Sequence, residues 1–301
     1  MSTSIAIAAG LGAALVFGVS AVAEQRGTKK VKQRQTLSPR IFLDLVRTPL
    51  WDISIGGILV GFALQVVALK YGALALVEPL LVCDLIFAAV INSYLRRVFD
   101  PVLLGGVIAC AAGIGGFLAI ARPTGGRTTV SFEVVLPLAA GLAAAMVGCA
   151  ELARRSRDVR PLALALACGI CYGVSAFLIK LLTAGGLASL FTNWPIYALA
   201  VVAPAGFLLQ QNAFQSGTLL APVLSIITAC DPIISIFLAW LWLDEKLSSS
   251  PAAIFGQVAS LLVMIFGIVV LAHHSPMVTR QAEQAAAQTR AAPAQDPETP
   301  V

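Results

Sequence analysis

The sequence predicts an all-α protein, a polytopic bundle of about nine membrane-spanning helices, and three observations carry that prediction. Of the 301 residues, 58% are hydrophobic and only 12% charged, with a mean hydropathy of +0.90, whereas soluble domains run near about 25% charged. The apolar residues fall in runs of roughly 20, the length that crosses a hydrocarbon core. The lysines and arginines collect between those runs, as membrane-topology signals do. A soluble fold cannot hide this much apolar surface. A net charge of +5 does not imply nucleic acid either, because the basic residues do not gather on one amphipathic face. The expected partner is the lipid bilayer.

In chain order, the runs lie at 4–23, 52–70, 73–95, 101–121, 132–150, 161–183, 195–214, 217–242 and 251–272; an eight-span arrangement stays open. The first run lacks the basic n-region and the cleavage site of a secretory signal, and is expected to stay as a span. The 24–50 loop that follows is basic and holds Pro39 and Pro49, a solvated orientation signal. Spans two and three meet at Tyr71-Gly72, and spans seven and eight at Ser216-Gly217, where glycine permits a sharp reversal. The six cysteines all sit in apolar runs, where a reduced thiol acts as a small hydrophobe. Cys168 and Cys171 form a CxxC without a second pair, so no metal is assigned. His273-His274 marks the edge of the last span, and 275–301, rich in Ala, Gln, Pro and Glu, is expected to be disordered.

The cations give an orientation. With the N-terminus outside, the inner loops hold Arg26, Lys29, Lys30, Lys32, Arg34, Arg40, Arg47, Arg96, Arg97, Arg154, Arg155, Arg157 and Arg160, and the tail adds Arg280 and Arg290. The outer loops hold Lys70, Arg122, Arg127 and Lys246. Positively charged loops stay cytoplasmic, so the expectation is a multi-pass plasma-membrane protein with its N-terminus outside and its C-terminus inside.

Laying the first four spans against the last four exposes a repeat. Phe17-Gly18-Val19-Ser20-Ala21 matches Tyr172-Gly173-Val174-Ser175-Ala176 in all but the first residue, and Gly61, Phe62, Leu64, Gln65, Ala68, Gly72 and Leu74 recur as Gly206, Phe207, Leu209, Gln210, Ala213, Gly217 and Leu219. Cys83-Asp84 meets Cys230-Asp231 after a two-residue shift. The chain then divides into a first repeat (1–122), a linking span and basic loop (123–160), a second repeat (161–274) and a tail (275–301). The odd linking span makes matched helices cross in opposite directions. Such inverted-topology repeats recur in secondary transporters, where two copies can exchange conformations.

Gly61, Gln65, Ala68, Leu69 and Gly72 running into Leu76-Val77-Glu78-Pro79-Leu80-Leu81, together with Asp231-Pro232-Ile233-Ile234 and Leu241-Trp242-Leu243-Asp244-Glu245-Lys246-Leu247, resemble the drug/metabolite transporter superfamily in its EamA-like form. The resemblance covers most of residues 1–272. It implies paired repeats and a small-molecule or cation substrate. Members usually show ten spans; the long basic loop in place of a second helix looks more like the magnesium-transporter-like branch.

Ionisable groups inside a span cost several kcal/mol and are functional candidates. Asp84 and Asp231 lie about eleven and fourteen residues into their spans, near mid-depth at 1.5 Å per residue, and are equivalent under the repeat. Glu78 precedes Pro79 as Asp231 precedes Pro232; each proline frees a carbonyl four residues earlier, at Ala75 and Thr228, so both are expected helix-break positions beside a carboxylate. Gln65 and Gln210 are symmetry mates able to bind substrate or join helices. Lys180 is expected to snorkel, and Glu245 to face headgroups or water. No P-loop, nucleophile elbow or metalloprotease motif is present, so no enzyme, ATP-driven pump or cofactor is expected. Two functions follow: an ion-coupled or facilitative transporter of a small metabolite or cation working by alternating access, with possible proton coupling, or a non-transporting membrane scaffold that uses the basic loop and tail for contacts.

Overall fold

Apolar helices that cannot bury a polar backbone any other way dominate the computed structural model, which describes residues 2–28, 49–96, 100–125, 133, 135–155, 159–183, 193–215 and 220–274. They are α1 (Ser2–Thr28), α2 (Pro49–Tyr71), α3 (Leu74–Leu81), α4 (Cys83–Arg96), α5 (Pro101–Ala121), α6 (Val135–Arg155), α7 (Arg160–Leu182), α8 (Trp194–Gln215), α9 (Leu220–Trp242) and α10 (Pro251–His274). Their boundaries have local causes. Asp100 accepts from the Val102 and Leu103 amides at 2.9 and 3.4 Å and Pro101 opens α5, a charged N-cap with proline where no donor is needed. Ser250 caps α10 in the same way, taking the Ala253 amide at 3.2 Å.

Seven helical stretches are long and apolar enough to cross a membrane, with α3 and α4 counted as one; Gly56–Tyr71 and Trp194–Gln210 are apolar but shorter. Among the described residues, then, the nine expected spans become seven such stretches and two shorter ones, and the protein is a polytopic helical membrane bundle. Its outer faces carry exposed Leu59, Val201, Phe255 and Phe266, which a soluble surface does not tolerate in such number.

One of the two expected helix interruptions is present and the other is not. The third span is interrupted near Pro79, at Val82 between α3 and α4. The eighth, despite Pro232, runs unbroken from Leu220 to Trp242; proline is tolerated where neighbouring helices satisfy the freed carbonyl. The all-α expectation holds, with one addition: the two-residue strands β1 (Thr124–Gly125) and β2 (Glu245–Lys246) pair antiparallel, Thr124 opposite Lys246 and Gly125 opposite Glu245. The basic loop at 29–48, the Ser216-Gly217 turn and the tail at 275–301 lie outside the described residues.

Packing is organised around α7, whose C-terminal stretch from Gly173 to Leu182 is buried without interruption. It packs on α6, α8 and α9, while α1 packs on α2, α3 and α4, and α5 lies along α10. The α5–α10 crossing is the tightest. A Cβ on Gly113 would sit 2.4 Å from the Met264 nitrogen, and one on Gly267 2.4 Å from the Cys110 nitrogen. Two glycines thus let two backbones touch reciprocally. α1 meets α4 where a Cβ on Gly18 would lie 2.8 Å from the Asp84 carbonyl; α7 meets α9 where one on Gly173 would lie 2.8 Å from the Asp231 carbonyl.

Gly113→Val is expected to destabilise the protein by about 1–3 kcal/mol, the usual cost of overpacking. Gly105→Val, on the same helix where nothing lies within 4 Å, should leave the thermal midpoint in detergent unchanged. Equal midpoints for the two variants would refute the close crossing.

Candidate functional site

The helix break is the starting point. Pro79 sits inside α3 and removes the amide that would bond the Ala75 carbonyl. The result is an eight-residue helix, with Leu74 through Leu80 all buried, joined to α4 through Val82, which itself keeps helical φ and ψ. The chain restarts with Asp84 in the first turn of α4, where negative charge is favourable, and the Asp84 carboxylate accepts its neighbour's amide, Leu85 N–H, at 2.5 Å.

Glu78 is carried to the interior by this rod and is 3% exposed. The Gln65 side chain hydrogen-bonds it, while its Oε1 has no hydrogen-bond partner among the described residues. Asp231, from mid-α9, lies within electrostatic reach of both Glu78 and Asp84. Its carbonyl accepts the Ser235 hydroxyl at 2.7 Å, with Oδ1 3.4 Å from the same oxygen. Four of the five candidates, Gln65, Glu78, Asp84 and Asp231, therefore belong to one neighbourhood. Gln210 does not join it through its recorded bond: its Oε1 accepts the Tyr172 hydroxyl at 2.7 Å, tying α8 to α7. Among the described residues no three His, Cys, Asp or Glu side chains form a group able to hold a metal ion.

A second charged arrangement flanks the first. Lys180 and Glu245 are only 4% and 2% exposed, which corrects the expectations of snorkelling and of a water-facing carboxylate. The Lys180 ammonium donates to the Leu69 carbonyl and, at 2.6 Å, to the Gly72 carbonyl. Those carbonyls lie at and just beyond the end of α2, where helical carbonyls lack partners. The Glu245 carboxylate accepts the Leu74 and Ala75 amides, at 2.6 and 2.9 Å, through its two oxygens. These are the first two amides of α3, where orphan donors and the helix dipole favour an anion. One turn, Tyr71-Gly72-Ala73, is thus gripped by a cation on its entering helix and an anion on its leaving helix.

Burial pushes the Glu245 carboxyl above the usual carboxylate range; the Ala75 and Leu74 amides and the positive charge of Lys180 oppose that rise. The β1–β2 pairing fixes the strand from which Glu245 projects, and the Ser248 amide bonds the Ala121 carbonyl beside it. Beyond the turn lies a cavity of about 300 Å3 lined by Thr3, Lys70, Tyr71, Pro123, Thr124 and Lys180, among others. The start of α1, the α2–α3 turn, the end of α5 and the end of α7 therefore share one end of the bundle.

Sequence reasoning contained a signal for Lys180, a cation well inside an apolar run. It contained none for Glu245, whose partners are 170 and 171 residues away.

No family model matches the chain, and no solved structure matches it. An uncharacterized protein of Corynebacterium glutamicum is 28% identical over 286 residues, covering 92% of this chain and 97% of its own length. The similarity therefore spans the whole bundle.

Removing a buried charged group that is hydrogen-bonded to backbone leaves those backbone groups unsatisfied, at about 1–3 kcal/mol or more. Lys180→Met and Glu245→Gln should each lower the thermal midpoint in detergent strongly, and the double variant should lose less than the sum. Strict additivity would show that the two groups act independently.

Proposed function

We propose that this protein is a secondary transporter of a small metabolite or cation, working by alternating access and built on the inverted-repeat plan of the drug/metabolite transporter superfamily. The observation that carries the reading is the buried Glu78, which keeps an unpartnered carboxylate oxygen and lies within electrostatic reach of Asp231, itself within reach of the half-buried Asp84. Acids placed this way inside a bundle repel one another, and the charged state of each is expensive. A proton or a cation entering there relieves that cost, which is how a buried acid cluster comes to bind and release a coupling ion.

The repeat supports the reading in its packing as well as in its sequence. Gly18 and Gly173, matched in sequence, each press on an aspartate carbonyl, at Asp84 and Asp231; Gly61 and Gly206, also matched, each face an aromatic ring, Phe17 and Tyr172. The α5–α10 contact is reciprocal at Gly113 and Gly267, as a pseudo-two-fold axis between the fourth and ninth spans would require. On this reading the protein has nine spans, with α2 and α8 crossing in full. The end that holds the Lys180–Glu245 grip is the outer end, since the loops at the opposite end carry most of the lysine and arginine.

The repeat mate of Lys180 is Gln25, so the grip on the α2–α3 turn has no sequence counterpart in the first half. On this reading that grip holds the outer end together while the acids change their charge. Neutralising the cluster should stop coupling without dismantling this grip.

Purified protein in liposomes loaded with a pH-sensitive dye should acidify or alkalinise the lumen when a pooled metabolite and monovalent and divalent cation panel is added. Asp231→Asn and Glu78→Gln should each reduce that flux about tenfold or more, given several kcal/mol per charge at mid-depth. Gln210→Leu, away from the acids, should retain it. A wild-type protein that moves no proton, and takes up no radiolabelled member of the panel, would overturn the proposal.

A further inference from the structure

The cavity beyond the α2–α3 turn, about 300 Å3, takes its charge from two lysines, Lys70 and Lys180, and among the described residues no carboxylate lines it. It lies at the small end of the range for ligand sites, about 300–1,000 Å3. The acids at this end of the bundle are engaged elsewhere. Both oxygens of Glu245 lie on the Leu74 and Ala75 amides, and Asp244 lines a separate groove beside Phe237 and Trp240.

The two lysines differ in what they already hold. Lys180 is 4% exposed, and of the three donors on its ammonium two are recorded among the described residues, on the Leu69 and Gly72 carbonyls. Glu245 offsets part of its charge from within electrostatic reach. Lys70 has no carboxylate or carbonyl partner recorded among the described residues; its ammonium stands 5.9 Å from the centre of the Tyr71 ring, a weaker contact than a charge-assisted hydrogen bond. The cavity therefore keeps a positive charge.

The helix carbonyls that would oppose an anion here are taken. Lys180 covers those at the end of α2, and at the end of α5 the Arg122 amide takes the Leu118 carbonyl while its Nε takes the Ala119 carbonyl, at 3.1 and 3.3 Å. Thr3 belongs to the first turn of α1, the kind of helix end where the dipole favours negative charge. The hydroxyls of Thr3 and Thr124 add donors, and buried Leu76 and Pro123 give an apolar wall for a short carbon skeleton.

We propose that this cavity is a binding site for a small oxyanion, the carboxylate or phosphate of a short metabolite or of a lipid headgroup, held by Lys70 and the third donor of Lys180. The site does not depend on whether the protein transports anything. Tyr71, Gly72 and Ala73 line the cavity and lead into α3, so an occupant also braces the helix that carries Glu78.

Calorimetric titration of the full chain in an uncharged detergent with succinate, and separately with inorganic phosphate, tests this. At least one of them should bind at a single saturable site. Lys70→Gln should raise its Kd about tenfold, the loss of one charge-assisted contact, and Lys70→Arg should restore it. Thr3→Trp, which fills the cavity from an exposed position, should abolish binding. Lys246→Gln, a cation at the same end that does not line the cavity, should leave the Kd unchanged, and thermal midpoints without ligand check that each variant folds. Native mass spectrometry separates the lipid source: dioleoylphosphatidylglycerol retained over dioleoylphosphatidylcholine, and lost in Lys70→Gln, puts a headgroup in the same cavity. No saturable heat together with no such retention, or equal losses in Lys70→Gln and Lys246→Gln, overturns the site.

Discussion

A chain that reverses direction at the margin of a bilayer must find partners for the backbone groups that two helix ends leave open, because no water is at hand to take them. At the α2–α3 turn those partners are side chains from far along the sequence. Lys180 takes carbonyls from the end of α2 and Glu245 takes amides from the start of α3. The rest follows from this one fixture. α3, eight residues long and too short to be stable alone, starts where it does because its first amides are satisfied by a carboxylate. Since α3 carries Glu78, the depth and facing of that acid are set by a residue outside the helix.

The fixture also explains why the protein tolerates so abrupt a break at Val82. A membrane helix interrupted by proline needs its loose ends held by protein rather than lipid. Here the N-terminal end of the rod is held by Glu245 and its flanks by α1 and α9, while the restart at α4 uses the Asp84 carboxylate on its own first turn. α9 carries its proline at a different place in the repeat, Pro232 falling opposite Leu85 once Asp231 is set against Asp84, and stays continuous. Its carboxylate, Asp231, is approached by Ser235 one turn on.

Much of the architecture was legible from composition alone, because runs of apolar residues of bilayer length leave few alternatives to a helix. The acids were legible as well: Asp84, Asp231 and Glu78 stood out through the cost of placing a charge in an apolar run, and the structure brings them within reach of one another. The pairing of Gln65 with Glu78 was not predicted, and Gln210 took a different partner from its sequence mate, since Tyr172 stands where the first repeat has Phe17 and offers a hydroxyl. The grip on the turn was illegible because it is wholly non-local. Lys180 looked like a long side chain near a helix end, and Glu245 like a loop residue, until burial and partners were known. The β1–β2 pairing, two residues on each side, left no pattern that a sequence window could hold.

The two charged groups of the interior are opposite in kind, and that contrast separates structure from function. Lys180 and Glu245 carry opposite signs, and each is hydrogen-bonded to backbone that needs it, so the assembly is close to neutral and already satisfied. Glu78, Asp84 and Asp231 carry one sign, and Glu78 keeps an oxygen unused. Among the described residues no cation is recorded as bonded to any of the three. A like-charged buried cluster is a poor way to hold helices together, because every member costs desolvation and repels the others. Folding alone would favour replacing such a cluster with apolar side chains. On the proposed reading, the acids answer to something that arrives, with positive charge, from outside the chain.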